Sequence, residues 1–185
     1  GKTALISGAA HPYGAEIAQG LRDAGARVFL AGGDAAELER LQKRVGAEGT
    51  IVYRQRTEAA AEAFATEVER RAGIPDVFVE NSTHVLLPGW RHTFEEIYEN
   101  FSVTQTGMML TVKHIGILMA KKGAGSVVFI TDYAALVGAD VHNYDDAPEM
   151  LDEGFALNYG FVSGCYVNYA RQAAGYLGEN GIRCN

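Results

Sequence analysis

The stretch SGAAHPYGAEIA, residues 7–18, follows the apolar run TALI and leads into an amphipathic helix. A glycine-containing loop between a buried strand and a helix is where a nucleotide-binding protein places its phosphate loop. Gly8 and Gly14 stand at the two ends of this loop, but Pro12 stands where a central glycine is expected. The stretch therefore predicts a strand–turn–helix unit and leaves open whether the loop holds pyrophosphate.

Apolar runs and helical patterns alternate along the whole chain. Runs typical of buried parallel strands are TALISG (3–8), ARVFLAGG (26–33), TIVYRQ (50–55), PDVFVENS (75–82) and GSVVFITD (125–132). Helical periodicity occurs in GAEIAQGLRDAG (14–25), DAAELERLQKRVG (34–46), EAAAEAFATEVERRAG (58–73), TFEEIYENF (93–101), MMLTVKHIGILMAKKG (108–123) and LNYGFVSGCYVNYARQAAGYLGENG (157–181). Thr93 and Glu96 have the spacing of a capping box. This alternation predicts an α/β fold, a Rossmann-like doubly wound parallel sheet with helices on both faces.

The chain length of 185 residues predicts one Rossmann-like domain over residues 1–185. The final segment GIRCN, residues 181–185, has the pattern of the start of a further strand, so we expect a C-terminal portion of the domain to be missing. Ligands of such sheets bind at the carboxyl ends of the strands, near the point where the strand order reverses. We therefore expect the site residues at the carboxyl ends of the strands.

The composition of the chain limits the binding partners and the cellular compartment that we expect for this protein. The formal net charge of −7 argues against a nucleic-acid or anionic-membrane surface, and no apolar run approaches the roughly 18 residues of a membrane span. The five histidines show no paired ligand spacing, so no metal site is expected. With only two cysteines and no disulfide framework, a reducing, cytoplasmic setting is the expectation.

Four segments resemble, in order and spacing, the motifs of the short-chain dehydrogenase/reductase family. SGAAHPYG (7–14) is similar to its T-G-x-x-x-G-x-G loop, and GIPDVFVENST (73–83) to its G-x-x-D-x-x-V-N-N-A-G segment. GAGSVVFITDYAALVG (123–138) is similar to the strand that carries the catalytic serine. YGFVS (159–163) and the later GIRCN are similar to Y-x-x-x-K and G-I-R-V-N. The resemblance covers essentially the whole chain and implies the same doubly wound fold.

The resemblance also implies hydride transfer between a nicotinamide and an alcohol or carbonyl carbon. In the family a tyrosine moves the hydroxyl proton, and a lysine four residues on assists it and holds the nicotinamide ribose. A serine orients the substrate oxygen, and an asparagine supports a proton relay. Tyr159 matches the tyrosine, but Ser163 stands at the lysine position. Asp132 stands at the serine position and Thr104 at the asparagine position.

Tyr159 and Asp132 are the candidate catalytic residues. A phenol ionises near about pH 10 in water and needs a neighbouring cation for acid–base work near neutrality. Ser163 supplies no charge, and a carboxylate at position 132 repels a developing phenolate or alkoxide. The alternatives are that Tyr159 is an aromatic residue packed at a helix start and that Asp132 is a turn or cap carboxylate.

The family's cofactor positions are only partly retained. Ser7, Gly8, Gly14 and Asn81 match it and are the candidate cofactor-binding residues. Pro12 fixes φ and removes a backbone N–H where the chain should approach pyrophosphate.

Three further cofactor positions differ from the family pattern. The residues that select the adenosine ribose are replaced by Gly32 and Gly33, and the aspartate that reads adenine is replaced by Arg54. Glu80 puts a negative charge near the expected dinucleotide. Together with Pro12, these differences predict that no cofactor is bound tightly by this chain, neither NAD nor NADP.

The segment between the fifth strand and Tyr159 is long and acidic. Residues 139–158 carry Asp145, Asp146, Glu149, Asp152 and Glu153, and we expect them to lie over a substrate cleft or against a partner. The resemblance implies that the last two long helices form an intersubunit face, with a second copy or a homologous active subunit as the partner.

Two functional hypotheses follow. The first is a catalytically degenerate subunit that pairs with an active relative in a complex acting on a hydroxy or keto substrate, such as an acyl-CoA. The alternative is an active NAD(P)-dependent alcohol or carbonyl oxidoreductase with a non-standard tetrad around Tyr159. A dehalogenase-like relative is disfavoured, because Asp132 would repel a halide.

Overall fold

Six parallel strands form the sheet in a computed structural model that describes residues 1–82, 86–138, 140, 142 and 156–185. The strands are β1 (Thr3–Ser7), β2 (Arg27–Gly32), β3 (Gly49–Val52), β4 (Val77–Glu80), β5 (Gly125–Phe129) and β6 (Ile182–Cys184). Their order is β3-β2-β1-β4-β5-β6, and every adjacent pair is parallel. This confirms the predicted doubly wound sheet, and the strand start in GIRCN becomes β6.

The helices fall where the periodicity predicts them. They are α1 (Gly14–Asp23), α2 (Ala35–Val45), α3 (Glu58–Ala72), α4 (Phe94–Phe101), α5 (Gly107–Ala120) and α6 (Tyr159–Gly178). A π-helical turn at Ser102–Thr106 joins α4 to α5, and a 3₁₀ turn at Tyr133–Ala135 follows β5. Within the described ranges, no helix has the length and apolar character needed to cross a membrane.

Side-chain caps define several helix starts. The Asp34 carboxylate accepts a hydrogen bond from the Glu37 N–H at 2.9 Å, which satisfies an otherwise unpaired donor at the start of α2. The predicted capping box is confirmed, because Thr93 Oγ1 accepts from Glu96 N at 3.2 Å and Glu96 Oε2 accepts from Thr93 N at 2.8 Å.

Alternating side chains of the strands build a core on each face of the sheet. One face packs against α3, α5 and α6 and includes Leu5, Phe29, Phe78, Met108, Val127, Tyr166 and Leu177. The other face packs against α1 and α2 and includes Ala4, Ile6, Val28, Leu30, Leu38 and Val79. The central strands β1, β2 and β4 are thus covered on both sides, as an all-parallel sheet requires.

Asp76 holds the amino edge of the sheet together. Its Oδ2 accepts from the Thr3 N–H at 2.8 Å, and its Oδ1 accepts from Lys122 Nζ at 2.6 Å and from Lys2 Nζ at 3.4 Å. Burial raises the pKa of this carboxyl, but these hydrogen bonds and the two ammonium charges outweigh burial and bring its pKa to about 2.

Parts of two predicted loops lie outside the described residues. These are residues 83–85 and, in the acidic segment, residues 139, 141 and 143–155, which include its five acids named above. Nearby, Pro88 and Gly89 make isolated bridges with Ala156, just before α6.

Candidate functional site

The loop between β1 and α1 makes a tight turn that two glycines permit. Gly8 has a φ of +58°, and a Cβ there would lie 2.3 Å from the Asn81 carbonyl oxygen. A Cβ on Gly14 would lie 2.2 Å from the Ala9 carbonyl oxygen. Tyr13 adopts a left-handed φ of 67° immediately before the helix. The glycines retained in the sequence are therefore those that the turn itself requires.

Three backbone N–H groups of this loop donate to backbone carbonyl oxygens of the protein itself. The amides of Ala9, His11 and Gly14 donate to backbone carbonyls at 3.0, 3.0 and 3.1 Å, and Pro12 has no N–H. A pyrophosphate is held by loop amides that point toward the ligand. The internal bonds of this loop stabilise its shape instead.

Asn81 lies beneath the loop. Its side chain is 5% exposed, and its Nδ2 donates to the carbonyl oxygens of Gly8 and Pro12, each at 3.1 Å. Asn81 therefore joins the end of β4 to the loop between β1 and α1, and these two hydrogen bonds stabilise the shape of the loop.

Ser7 and Glu80 end the two central strands and bind each other. Ser7 Oγ donates to Glu80 Oε2 at 2.7 Å, and the Ser82 N–H donates to Glu80 Oε1 at 3.1 Å. Glu80 is 0% exposed, and burial raises its pKa although the hydrogen bonds from Ser82 and Ser7 act in the opposite direction.

The expectation that Glu80 puts a charge in the dinucleotide groove is corrected. Its carboxyl group is turned into the protein, where the neutral form is favoured. Among the described residues, no Lys, Arg or His forms an ion pair with it.

A cavity of about 520 Å³ opens beside the carboxyl ends of β1, β2 and β3. Its lining includes Ser7, Gly8, Gly32, Gly33, Arg54 and Gln55. Ser7 and Gly8 therefore border a ligand-sized space. Gly14 and Asn81 do not line the cavity; they hold the shape of the loop that borders it.

Tyr159 and Asp132 meet at the catalytic corner. Tyr159 is the first residue of α6, and its hydroxyl donates a hydrogen bond to Asp132 Oδ2. Asp132 Oδ1 accepts from the Ala134 N–H at 2.8 Å, which caps the 3₁₀ turn after β5. The structure thus places together the two candidate catalytic residues, and Asp132 also has the structural role considered as its alternative.

The other two catalytic positions are occupied by buried hydroxyls. Ser163 is 0% exposed and its Oγ has no hydrogen-bond partner among the described residues. Thr104 Oγ1 donates to the Asn100 carbonyl at 2.8 Å, within its own helical segment. The Ser163 side chain therefore brings neither a charge nor a hydrogen bond to the corner, although its backbone carbonyl accepts from Thr131 Oγ1 at 3.1 Å. Thr104 serves the helix.

An amide pair beside Tyr159 was not anticipated from the sequence. Asn158 Nδ2 donates to Asn100 Oδ1 at 2.8 Å, while Asn158 Oδ1 accepts from the Leu87 N–H at 3.1 Å. Both asparagines are buried. The pair ties the start of α6 to α4 and to the chain after β4. The only signal in the sequence is a polar residue directly before Tyr159.

The faces of α5 and α6 that turn away from the sheet carry apolar side chains. Met109, Ile117, Phe161 and Tyr176 are exposed, with accessible fractions of 47, 48, 64 and 72%. A cleft of about 430 Å³ between the two helices is lined largely by apolar residues, among them Met109, Ile117 and Tyr176. Contiguous exposed apolar surface of this kind is typical of an interaction face.

Comparison with known proteins decides the family. The sequence profile described as short chain dehydrogenase matches residues 2–144. The chain belongs to the short-chain dehydrogenase family. The resemblance inferred from the four motifs is confirmed.

Two curated relatives indicate what this short-chain dehydrogenase is similar to. It is 31% identical over 141 residues to 2,3-dihydro-2,3-dihydroxybenzoate dehydrogenase of Bacillus subtilis, covering 73% of this chain and 54% of that protein. It is 29% identical over 152 residues to D-threitol dehydrogenase of Mycolicibacterium smegmatis, covering 77% and 56%. The chain spans a little over half the length of these relatives.

Solved structures share the fold. All of this chain superimposes on 68% of actinorhodin polyketide ketoreductase with NADPH, with a TM-score of 0.83 and 24% identity. The same coverage and TM-score hold for NAD⁺-bound xylitol dehydrogenase, at 21% identity.

The two ends of the family's dinucleotide site differ in this chain. The adenosine side keeps an open cavity with Arg54 at its rim. At the nicotinamide side, the position of the ribose-holding lysine is the buried Ser163, and residues 139–158 contain no lysine or arginine. Ser163 therefore supplies no charge to hold the ribose of the nicotinamide half.

Proposed function

We propose that this member of an oxidoreductase family is a catalytically degenerate subunit. It keeps the short-chain dehydrogenase fold and pairs with an active homologous subunit in a complex that acts on a hydroxy or keto substrate, such as an acyl-CoA. In this proposal the chain itself does not carry out hydride transfer and binds no nicotinamide dinucleotide tightly.

The observation that carries the proposal is the environment of Tyr159. Its hydroxyl donates to the Asp132 carboxylate, and the residue one helical turn on, Ser163, is uncharged and buried. A phenolate beside a carboxylate is disfavoured by charge repulsion, and Ser163 supplies no charge to offset that repulsion. At these two positions the corner therefore offers no cation to assist Tyr159 in removing a substrate proton.

The apolar faces of α5 and α6 support the association. Met109, Ile117 and Tyr176 expose apolar surface on one side of the molecule, where burial against a partner would be favourable. Cys165 and the small residues Gly160 and Gly164 line a second groove on α6, of about 660 Å³, which continues this face.

Native mass spectrometry of the complex purified from the source cells tests the proposal. The expected result is a stable assembly that contains this chain and a homologous chain in equal number, with no nucleotide retained by this chain. A homo-oligomer that carries a bound nicotinamide dinucleotide would refute it.

A substitution on the proposed interface gives an independent test. Ile117→Glu places a charge in the apolar face and should dissociate the assembly, whereas Glu16→Gln, on the exposed side of α1, should leave it intact. Both variants should keep the monomer folded, as circular dichroism would check. Retention of the assembly by Ile117→Glu would place the interface elsewhere.

The second candidate is an active NAD(P)-dependent alcohol or carbonyl oxidoreductase. The direct hydrogen bond between Tyr159 and Asp132 favours it, because a carboxylate in that place is able to accept the phenol proton. Under this candidate, Asp132→Asn and Tyr159→Phe should each abolish turnover of the isolated chain. Under the degenerate proposal, the unsubstituted chain shows no turnover to lose.

A further inference from the structure

Glu80 places a buried carboxyl group at the carboxyl end of β4, in the middle of the sheet. Its side chain is 0% exposed, and in the described part of the chain no lysine, arginine or histidine pairs with it. Moving an unpaired carboxylate out of water is costly, and a carboxyl group in such surroundings takes up a proton instead. The burial of Glu80 thus favours the protonated group in the folded chain.

The contacts of Ser7 Oγ also favour a proton on Glu80. This oxygen lies 2.7 Å from Glu80 Oε2 and 3.3 Å from the Val79 carbonyl oxygen. A hydroxyl has one hydrogen to donate, and a carbonyl oxygen only accepts. If Ser7 donates to Val79, its contact with Glu80 is a hydrogen bond only when the carboxyl group carries a proton and donates it. The neutral carboxyl group therefore satisfies both contacts at once, whereas the carboxylate satisfies one.

Four segments of the chain meet around this carboxyl group. Ser7 ends β1, and the Ser82 N–H, just after β4, donates to Glu80 Oε1 at 3.1 Å. Ser82 Oγ donates in turn to Gln55 Oε1 at 3.0 Å, in the segment after β3. The Ser82 carbonyl accepts from the Tyr166 hydroxyl of α6 at 3.3 Å. A change at Glu80 is therefore passed directly to β1 and Ser82, and through Ser82 to the other two segments.

Two titratable side chains face Glu80 from neighbouring elements. They are Tyr53, directly after β3, and Tyr166 on α6. Burial raises the pKa of both phenols, and a charge on Glu80 raises the pKa of each further. The neighbour on β1 is Ser7, and the residue opposite Glu80 on β5 is Phe129. Both phenols thus stay neutral where Glu80 titrates, so a proton lost from this group of residues comes from Glu80.

We propose that Glu80 is a proton-dependent latch at the carboxyl edge of the sheet. With its proton, the carboxyl group joins Ser7 to Ser82 and keeps the ends of β1 and β4 closed. Without the proton, the buried charge draws water to this edge, and the hydrogen bonds of Ser7 and Ser82 open. Because Ser7 and Ser82 line the cavity beside β1, β2 and β3, the latch sets the shape of the cavity wall. The latch goes beyond the proposed function and does not depend on it, since it involves no residue of the catalytic corner.

An NMR titration of the whole chain measures the proton directly. The probe is ¹³Cδ-labelled glutamate, with Glu80→Gln to assign the signal of Glu80. Burial raises the pKa of this carboxyl group, so we expect its signal to titrate above the ordinary value of 4.5. A midpoint at or below 4.5 would show that the carboxylate is the stable form and would overturn the latch.

Amide hydrogen exchange tests the opening of the edge. At each pH, the exchange rate in the wild type is divided by the rate in Glu80→Gln, which cancels the intrinsic pH dependence of exchange. Above the midpoint of Glu80, this ratio for the N–H groups of Asn81 and Ser82 should exceed the ratio for the Thr3 N–H at least about tenfold. The Thr3 N–H is the reference because Asp76 holds it at the amino edge. An equal rise at all three amides would show a loss of global stability without local opening, and would overturn the latch.

Two variants complete the experiment. Glu80→Gln keeps the shape of the side chain without a titratable group, so it should fold and stay closed at every pH. Failure of Glu80→Gln to fold would show that the charge itself holds the edge, against the proposal. Glu37→Gln removes an exposed carboxyl group from α2 and should leave the midpoint of Glu80 unchanged. None of these readouts uses turnover or the oligomeric state, so the latch and the proposed function can fail separately.

Discussion

Acidic side chains at the two edges of the sheet have opposite surroundings. At the amino edge, Asp76 lies between Lys2 and Lys122 and holds the Thr3 N–H, so its charge stabilises the fold. At the carboxyl edge, Glu80 and Asp132 have hydrogen bonds but no cation partner among the described residues. The carboxylate at the amino edge is thus paired with two cations, whereas these two carboxyl groups at the carboxyl edge have none among the described residues.

The largest expected effect concerns the turn at the carboxyl edge. Gly14→Ala puts a Cβ at 2.2 Å from the Ala9 carbonyl oxygen, so the loop must shift and the free energy of unfolding should fall by about 3 kcal/mol. Gly20→Ala, in the same helix with nothing within 4 Å of its Cβ, should instead stabilise by about 0.5–1 kcal/mol. Urea denaturation of both variants checks the pair. Similar effects would mean that the turn is not tight.

The next effect tests the charged amino edge. Asp76→Asn should destabilise the chain by about 1–2 kcal/mol at neutral pH. Because the pKa of Asp76 is lowered to about 2, its contribution is present above the ordinary value near 4 and is lost as pH falls through about 2. Denaturation curves of the wild type and variant should therefore converge at low pH. A difference that persists there would have another cause.

The opposite pH dependence is expected for Glu80. Burial raises the pKa of Glu80, so protonation of its carboxyl group stabilises the folded chain at low pH. This stabilisation is lost as the pH rises from the ordinary pKa near 4.5 through the raised pKa. Glu80→Gln should therefore be more stable than the wild type at neutral pH by about 1 kcal/mol and gain nothing at acid pH. The exposed Glu37→Gln serves as the control. A stability loss in Glu80→Gln at neutral pH would mean that the carboxylate is charged and paired.

The smallest effect concerns the buried hydroxyl that replaces the lysine. Ser163→Ala removes an Oγ without a partner among the described residues, so thermal stability should stay the same or rise by up to about 1 kcal/mol. Ser7→Ala, which removes the hydrogen bond to Glu80, should cost about 1 kcal/mol. A loss at Ser163 as large as at Ser7 would reveal a partner for its hydroxyl.

The sequence predicted the fold well because the fold depends on local patterns. Apolar runs marked five strands, and the Thr93–Glu96 spacing marked a helix start that the structure confirms. The motifs also identified Tyr159 and Asp132, which do meet.

Side-chain direction at the site could not be predicted from the same patterns. Glu80 turns inward to Ser7, and Asn81 bonds the carbonyls of the phosphate loop, because strands β1 and β4 end side by side although 73 residues separate them. The pairing of Asn100 with Asn158 likewise depends on how α4 packs against the start of α6. Such contacts join segments far apart in the chain, and no short motif records them.

Tyrosine NMR tests most directly the claim that the catalytic corner is inactive. With ¹³Cζ-labelled tyrosine and the Tyr159→Phe variant to assign the signal, the ionisation of this one phenol is followed without any substrate. We predict that Tyr159 gives no phenolate signal near neutral pH, because its hydroxyl donates to the Asp132 carboxylate and position 163 carries no cation. A phenolate signal near neutral pH would show that the corner is activated for proton transfer and would contradict the account.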